Sequence, residues 1–319
     1  MNKVFLYLLG AGASSQVLPL ASQFKDRLPL FANDLRSAGP QGVRQPDNPT
    51  WGKNRDNLLN AIEWLEAESS HHFSVDTFAK KLFFRGDIQN LKKLKAVLSA
   101  YLVIEQSRNH VDQRYDAFLA SILKFDSNRR LSLPEQLRIL TWNYDTQLEK
   151  AFYGFCDNHD MVIKDVAFNK HIYRINGRCG THPPGYIGNS FRAILNSTNK
   201  PAWEAGINLY KEYMAEPSSP APEINFAWED PTHNKLNNVG VNLLSEVTDL
   251  IVIGYSFPYF NREIDDIIFK KFDNLFRVYL QFSDGVHATI KERIKKLLLE
   301  EVNIIQVDGT DLFFIPDDF

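Results

Sequence analysis

A continuous apolar run near the N-terminus, followed at once by a glycine-containing turn, constrains the fold of this chain most. Residues 4–9 read Val-Phe-Leu-Tyr-Leu-Leu, without polar alternation. Such a run is typical of a parallel strand that helices cover on both faces. The turn that follows is Gly10-Ala11-Gly12-Ala13-Ser14. Glycines there permit a tight turn that lets the backbone approach a pyrophosphate. The segment predicts the first strand of a nucleotide-binding fold, with a tight turn of purely structural role as the alternative.

Further short apolar runs recur along the chain. They lie at 137–141, 172–175, 250–254, 277–282 and 302–307. From 58 to about 123 the apolar residues instead follow a helical period, whereas 36–57 and 178–235 are predicted to be irregular. Strands that alternate with helices indicate an α/β fold with a doubly wound, Rossmann-like parallel sheet. We therefore expect a single domain, with a Rossmann-like part at 1–20 and 136–319 and a helical insertion at 21–135.

Polar or glycine-containing turns follow three of the predicted strands. Thr141-Trp142-Asn143-Tyr144-Asp145 follows the second strand, Asn176-Gly177 the third, and Gly254-Tyr255-Ser256 the strongest apolar run. Because open parallel sheets bind ligands outside the carboxyl ends of their strands, these turns are expected to face one crevice with the first turn. An Asn and an Asp after a strand are also common turn formers and helix caps, and that alternative stays open here.

Two departures from the dinucleotide fingerprint disfavour a nicotinamide dehydrogenase. Ser15 stands where such enzymes usually carry their third glycine. No second strand ends in an acidic residue about 20 positions further on, since Asp26 and Asp34 lie among prolines and helix formers. The sequence therefore predicts a nucleotide crevice without predicting hydride transfer.

The ordered motifs resemble those of the sirtuin superfamily. They are most similar to the bacterial branch that hydrolyses NAD in anti-phage defence, and Ser74-Val75-Asp76 together with the stretch 253–266 adds to the likeness. The resemblance covers nearly the whole chain. It implies a sirtuin-type Rossmann-like domain whose substrate is NAD.

The resemblance also implies a role for each matching position. The pyrophosphate would contact the first turn, at Gly10, Ala11, Gly12 and Ser14. The nicotinamide ribose would bind at the second turn, where Asn143 and Asp145 would be catalytic and Thr141 would help to bind the cofactor. The adenosine half would contact Gly254 and Ser256.

The chain departs from the family at its catalytic base. Sirtuins carry a His-Gly pair where this sequence has Asn176-Gly177, and His171 lies at the other end of the same predicted strand. By its position in the pattern, Asn176 is predicted to be catalytic together with Asn143 and Asp145. The zinc module of deacylating sirtuins is also missing, because two cysteines cannot supply four thiolates. No metal is expected to be required.

The missing histidine affects the two sirtuin chemistries differently. Deacylation needs a base to activate a ribose hydroxyl, and a positioned base typically contributes about 10²–10⁴-fold. Hydrolysis needs less, because nicotinamide leaves as a neutral molecule and a weakly activated water can trap the oxocarbenium-like sugar. The predicted activity is therefore NAD⁺ glycohydrolase, with a catalytically impaired NAD or ADP-ribose sensor or regulatory subunit as the alternative. A structural partner subunit that kept only the fold is a third hypothesis.

The net charge of −3 gives no general reason to bind nucleic acid or an anionic membrane. No apolar run approaches the roughly 20 residues that span a bilayer, and the sparse cysteines fit the reducing cytoplasm. An unrestrained enzyme of this kind would exhaust cellular NAD, as in abortive infection. We therefore expect gating by homo-oligomerisation or by a separate regulatory protein, whereas a preference between NAD and NADP is not predicted.

Overall fold

Six parallel strands form the central sheet of the protein. The computed structural model describes residues 3–39, 49–127, 131–156, 170–180, 199–216, 221–229, 244–283, 285–298 and 301–319. The sheet strands are β1 (Phe5–Leu9), β4 (Leu137–Thr141), β5 (Ile172–Arg174), β6 (Asp249–Ile253), β7 (Arg277–Gln281) and β8 (Asn303–Val307). Their order is β5-β4-β1-β6-β7-β8, and every neighbouring pair is parallel. Counting only these strands along the chain, this is the doubly wound order 3-2-1-4-5-6. The predicted α/β class with a Rossmann-like parallel sheet is confirmed.

Helices cover both faces of the sheet. Alternate side chains of β1 divide between the faces: Leu6 and Leu8 pack on one side, and Phe5, Tyr7 and Leu9 on the other. The first face is covered by α8 (Arg262–Phe269) and α9 (His287–Lys295), and the second by α5 (Gln113–Ile122) and α6 (Gln147–Gly154). This two-sided burial explains why β1 is apolar throughout and why β6 is apolar after its first residue.

A separate helical layer has its own apolar core. It consists of α1 (Phe24–Ser37), α2 (Pro49–Ser70), α3 (Val75–Phe84), α4 (Ile88–Arg108) and α7 (Asn199–Met214). The range 21–135 also holds α5, which packs on the sheet, and a short antiparallel pair, β2 (Lys124–Phe125) with β3 (Leu131–Ser132). Helix α7 lies outside that range but packs against α4 within the layer.

The prediction of irregular structure at 178–235 is wrong for residues 199–214, which form α7. Pro201 lies in the first turn of this helix, where proline is tolerated, so it does not interrupt the element. Gly206 allows α4 to approach closely, because a Cβ there would lie 2.4 Å from Ile104. The irregular stretch predicted at 36–57 is likewise wrong from 49 onward, where α2 begins. The Pro-rich residues 217–220 lie outside the described part.

The helical layer contacts the loops that follow β4. The side chain of Gln106 in α4 accepts a hydrogen bond from the backbone N–H of Thr146 at 2.9 Å. The hydroxyl of Tyr144 donates to Asp76 of α3 at 3.1 Å. The layer therefore lies over the carboxyl edge of the sheet, where the predicted site residues are located. Across the described residues, the structure contains no helix with the length and apolarity to cross a membrane.

Candidate functional site

The carboxyl ends of β4, β1 and β6 lie side by side. In the strand register Leu9 is paired with Thr141 on one side and with Ile253 on the other. The turn after β1 is therefore placed between the turns after β4 and β6. The boundary between β1 and β6 is the switch point of a 3-2-1-4-5-6 sheet, where nucleotides bind in folds of this topology.

The glycines of the first and third turns pack directly against each other. The amide of Gly10 donates to the carbonyl of Ile253, and that of Gly12 to the carbonyl of Gly254, both at 3.0 Å. A Cβ at Gly12 would lie 2.7 Å from the Cα of Gly254, and one at Gly254 would lie 2.4 Å from the Cα of Gly12. Gly254 also adopts the left-handed region, with φ of 62°. Only glycine fits this contact without moving backbone.

Ser14 lies at the centre of a small buried polar group. Its Oγ is 3.2 Å from the hydroxyl of Tyr115 and 3.4 Å from Nδ2 of Asn143. The same Nδ2 donates to the carbonyl of Gly10 at 3.0 Å. Asn143 is only 8% exposed, so these contacts fix its amide against the first turn. The structure thus brings together two predicted motifs that are about 130 residues apart in sequence.

The loop after β4 is held by its own polar residues. The Oγ1 of Thr141, a buried residue, accepts the backbone N–H of Asn143 at 3.0 Å. The carboxylate of Asp145 accepts the backbone N–H of Gln147 at 3.0 Å, at the start of α6. Desolvation raises the pKa of Asp145 to about 6, against hydrogen bonds from Gln147 and Ser14 that lower it. Asp145 is therefore largely ionised at neutral pH and becomes protonated in mild acid.

Asn176 follows β5 and is buried in the loop at its carboxyl end. Its Nδ2 donates to the carbonyl of Trp142 at 3.1 Å, and its own carbonyl accepts the N–H of Asn225 at 2.8 Å. Gly177 has φ of 71°, and a Cβ there would lie 1.9 Å from the carbonyl oxygen of Glu223. Asn176 thus connects the loop after β5 to the loop after β4.

His171 lies at the amino end of β5, on the opposite edge of the sheet from Asn176. Its Nδ1 is 3.1 Å from the carbonyl oxygen of Leu137, and burial lowers its pKa. His171 is therefore distant from Asn143 and Asp145, which follow the carboxyl end of β4.

Ser256 and Ala11 are exposed, whereas the other residues predicted for the crevice are buried or half-buried. The carbonyl of Ser256 accepts a hydrogen bond from Arg293 at 2.6 Å. The next residue, Phe257, is buried although its φ is 48°, a strained conformation for a bulky residue. Such strain persists only where the surrounding structure imposes it, and it is common at ligand sites.

Several residues around the crevice were not predicted from the sequence. Tyr255 stacks on Trp142, with ring centroids 5.1 Å apart and planes at 9°. Its hydroxyl donates to Asp265 at 2.9 Å and accepts from Asn261 at 3.1 Å. Burial raises the pKa of Asp265 to about 8. These contacts join separate elements, so no local sequence pattern marks them.

An ion pair at the start of α5, Asp112 with Arg114, was also missed by sequence reasoning. Both side chains are buried, and Arg114 contacts the carbonyls of the first turn. In the sequence, Asp-Gln-Arg before a helix indicates only an ordinary N-cap followed by a surface cation.

Two open grooves lie beside the crevice, between α3 and the segment that leads into α8. Their volumes are about 510 and 460 Å³, and both are lined by Lys80 and Phe260. Neither groove is lined by residues 10–14. Asp76 lines the second groove and accepts a hydrogen bond from Tyr144, so one contact links this groove to the loop that carries Asn143 and Asp145, although no residue of that loop lines it.

Comparisons with protein-family models and with curated proteins find no match for this chain. Among the described residues, no cluster of three or more His, Cys, Asp or Glu side chains has an arrangement suited to a metal ion. The functional argument accordingly depends on the side chains at the carboxyl edge of the sheet.

Proposed function

We propose that the crevice binds NAD⁺ and hydrolyses its nicotinamide–ribose bond, releasing ADP-ribose and nicotinamide. The main support is that Ser14, Asn143 and Asp145 lie close together beside the switch point of the sheet. A nucleotide crevice needs the interlocked glycine turns, and glycosidic cleavage needs a carboxylate near the sugar. Both requirements are met by neighbouring turns.

The pyrophosphate of NAD⁺ would bind on the outer surface of the first turn. The amides of Gly10, Gly12 and Ala13 already donate to protein carbonyls, so they are not available to a phosphate. Ala11, in contrast, is exposed at the start of the short 3-10 helix. A pyrophosphate is therefore expected to lie over Ala11, with Gly254 on the adjacent turn.

Asp145 and Asn143 would carry the chemistry. An ionised Asp145 stabilises the positive charge that develops on the ribose as nicotinamide leaves. The Nδ2 of Asn143 donates a hydrogen bond to the carbonyl of Gly10. Its Oδ1 has no hydrogen-bond partner among the described residues. That oxygen can accept a hydrogen bond from the attacking water and orient it, and the proton that the water loses passes to solvent. Thr141 supports this geometry through the amide of Asn143.

A sensor or regulatory subunit that binds NAD or ADP-ribose is the second candidate. The observation that favours it is Asn176, because an amide does not exchange protons as a histidine does and its Nδ2 is bound to the carbonyl of Trp142. In this hypothesis the crevice keeps its ligand and lacks efficient turnover.

The experiment compares NAD consumption and NAD binding in the wild-type chain, Asp145→Asn and Asn143→Ala. Chromatography measures nicotinamide release, and calorimetry measures binding of NAD and ADP-ribose. Loss of the carboxylate is expected to lower kcat by about 10²–10⁴-fold with binding retained. The matched control is Asp116→Asn, which removes an exposed carboxylate of α5 and should leave both quantities unchanged.

The two candidates predict different results in that experiment. Binding without turnover in the wild-type chain, under all conditions tested, would favour the sensor. An Asp145→Asn variant as active as the wild-type enzyme would remove the assigned role of this residue.

The biological setting we propose is NAD depletion in the bacterial cytoplasm during anti-phage defence. It is supported by the resemblance of the motifs and by the low cysteine content. We propose that oligomerisation or a partner protein gates the enzyme. A purified monomer that hydrolyses NAD at its full rate without any partner or trigger would contradict gating. Parallel assays with NADP would establish the substrate preference.

A further inference from the structure

A buried ion pair lies behind the first turn, at the beginning of α5. Arg114 donates to both carboxylate oxygens of Asp112, through Nε at 2.9 Å and through Nη2 at 2.6 Å. Arg114 is 4% exposed and Asp112 is fully buried. Because buried ion pairs seldom add net stability over apolar residues of similar volume, a role in geometry is the more informative hypothesis.

Arg114 holds the carbonyl end of the first turn. Its guanidinium donates to the carbonyl of Gly12 at 3.2 Å and to that of Ala13 at 3.1 Å, and Nη2 is 3.4 Å from Oγ of Ser15. Cations stabilise the carbonyl end of a helical turn, and a planar guanidinium can engage several acceptors at once. Since Arg114 is buried, it acts on a ligand only through the turn.

Asp112 extends the same set of contacts to the loop after β4. Its carboxylate accepts the backbone N–H of Gln16 at 3.3 Å, and its own N–H donates to Oε1 of Gln147 at 3.0 Å. The backbone N–H of Gln147 in turn donates to Asp145 at 3.0 Å. The segment after the first turn, the start of α5 and the loop before α6 are thereby connected by a continuous series of hydrogen bonds.

We propose that Asp112 and Arg114 form a positioning pair that sets the first turn and Asp145 at their working separation. This inference rests on the proposed function, because the distance between the first turn and Asp145 would matter for NAD hydrolysis. Two further facts support it. The first turn is a single four-residue 3-10 helix with no side-chain cap at its N-terminus, so contacts from other segments are important for its position. The negative charge of Asp112 is also one of the influences that raise the pKa of Asp145.

The test uses the full chain with the double substitution Asp112→Asn/Arg114→Met, which removes both charges and keeps similar volumes. Arg114→Lys alone keeps the charge but loses the planar guanidinium. Arg277→Met is the matched control, because it breaks a different ion pair, with buried Asp249 at the opposite edge of the sheet. Thermal unfolding confirms that each variant folds.

Hydrogen exchange gives a readout that does not depend on NAD. We expect faster exchange at 10–16 and at 143–147 in the double variant, a smaller effect in Arg114→Lys, and none at these segments in Arg277→Met. Unchanged exchange at both segments in a folded double variant would overturn the proposal. If the wild-type chain neither binds nor consumes NAD, the proposed function fails, whereas this measurement still decides whether the pair holds the two loops.

Enzyme kinetics give the second readout. The double variant is expected to lose at least tenfold in kcat, with the acidic midpoint of its pH–rate profile shifted to lower pH. Of the pair, Asp112 is the member whose charge raises the pKa of Asp145, so its loss is expected to outweigh the loss of the Arg114 charge and to favour ionised Asp145. A wild-type kcat and pH midpoint in the double variant would refute the positioning role even if exchange were faster.

Discussion

The two sides of the crevice are built by different means. On the β1–β6 side, Gly10, Gly12 and Gly254 bring two backbone turns into direct contact, and no side chain intervenes. On the β4–β5 side, Asn143 and Asn176 hold the loops together through side-chain amides that bond backbone carbonyls. The first side has little tolerance for substitution, whereas the second can change its chemistry while the sheet stays intact.

This difference explains how the side chain after β5 can contribute to the loops without shaping the sheet. Asn176 donates to the carbonyl of Trp142, so its observed role is a contact between two loops. The glycine turns that shape the crevice and the side chains that would act on a ligand therefore belong to different segments of the chain. We infer that binding and turnover can be lost independently, and the following substitutions test this.

The largest effect on stability is expected from Gly254→Ala. Its Cβ would lie 2.4 Å from the Cα of Gly12, so the two turns must separate. Overpacking and a left-handed φ together are expected to lower the free energy of unfolding by roughly 2–4 kcal/mol. Gly309→Ala is the matched control, because its φ of 80° is also left-handed but no atom lies within 4 Å of its Cβ. Equal losses in urea unfolding would show that contact between the turns is unimportant.

The second prediction concerns Asp265, which lies where the two sides meet. Tyr255 of the β6 turn bonds it and stacks on Trp142 of the β4 loop. Burial raises the pKa of Asp265 from 3.8 to about 8, so the folded state binds the proton more tightly than the unfolded state. Its contribution to stability is therefore complete below about pH 4 and decreases as pH rises to about 8.

Asp265→Asn should remove this pH dependence. Denaturant titrations at several pH values would show the variant gaining stability relative to the wild-type chain between pH 5 and 8. Asp266→Asn, which changes the adjacent carboxylate of α8, should keep most of the wild-type slope. A wild-type slope in Asp265→Asn would show that this carboxyl does not carry the proton.

The third prediction concerns the charge of Asp145. With its pKa raised to about 6 by desolvation, the ionised form dominates at neutral pH. If that form is active, hydrolysis should fall about tenfold per pH unit below pH 6. Initial rates of nicotinamide release from pH 4.5 to 8 measure this. A rate that is flat through pH 6, from an enzyme shown to stay folded, would be inconsistent with a catalytic carboxylate at this position.

The smallest effect is expected from Asn176→Ala. The carbonyl of Trp142 would lose its buried donor, and such a loss costs about 1–2 kcal/mol of unfolding free energy. Asn274→Ala is a suitable control, because Nδ2 of Asn274 bonds the carbonyl of Ser245 at an exposed site. This control should change stability by less than about 0.5 kcal/mol. Similar values for the two variants would mean that the Asn176 contact is not important for the loops.

Much of the architecture was predictable from local patterns. The runs at 4–9, 137–141 and 250–254 are buried strands because helices cover both faces of the sheet. Helix α7 was missed because its buried face is made largely of aromatic and small residues, such as Tyr210, Tyr213 and Ala202, near prolines. The nearness of Ser14 and Asn143 was expected from strand topology alone, because both follow strand ends.

The sequence by itself determined the alternation of strands and turns and the need for glycine after β1 and β6, since apolar runs and missing side chains act locally. Only the tertiary structure decided that Arg114 lies behind the first turn, that Asn176 bonds Trp142, and that Asp145 has a raised pKa. The physical reason is that hydrogen bonds and desolvation at this site depend on which distant segments pack together. The glycine turn thus defines the place of the crevice, and long-range packing decides its chemistry.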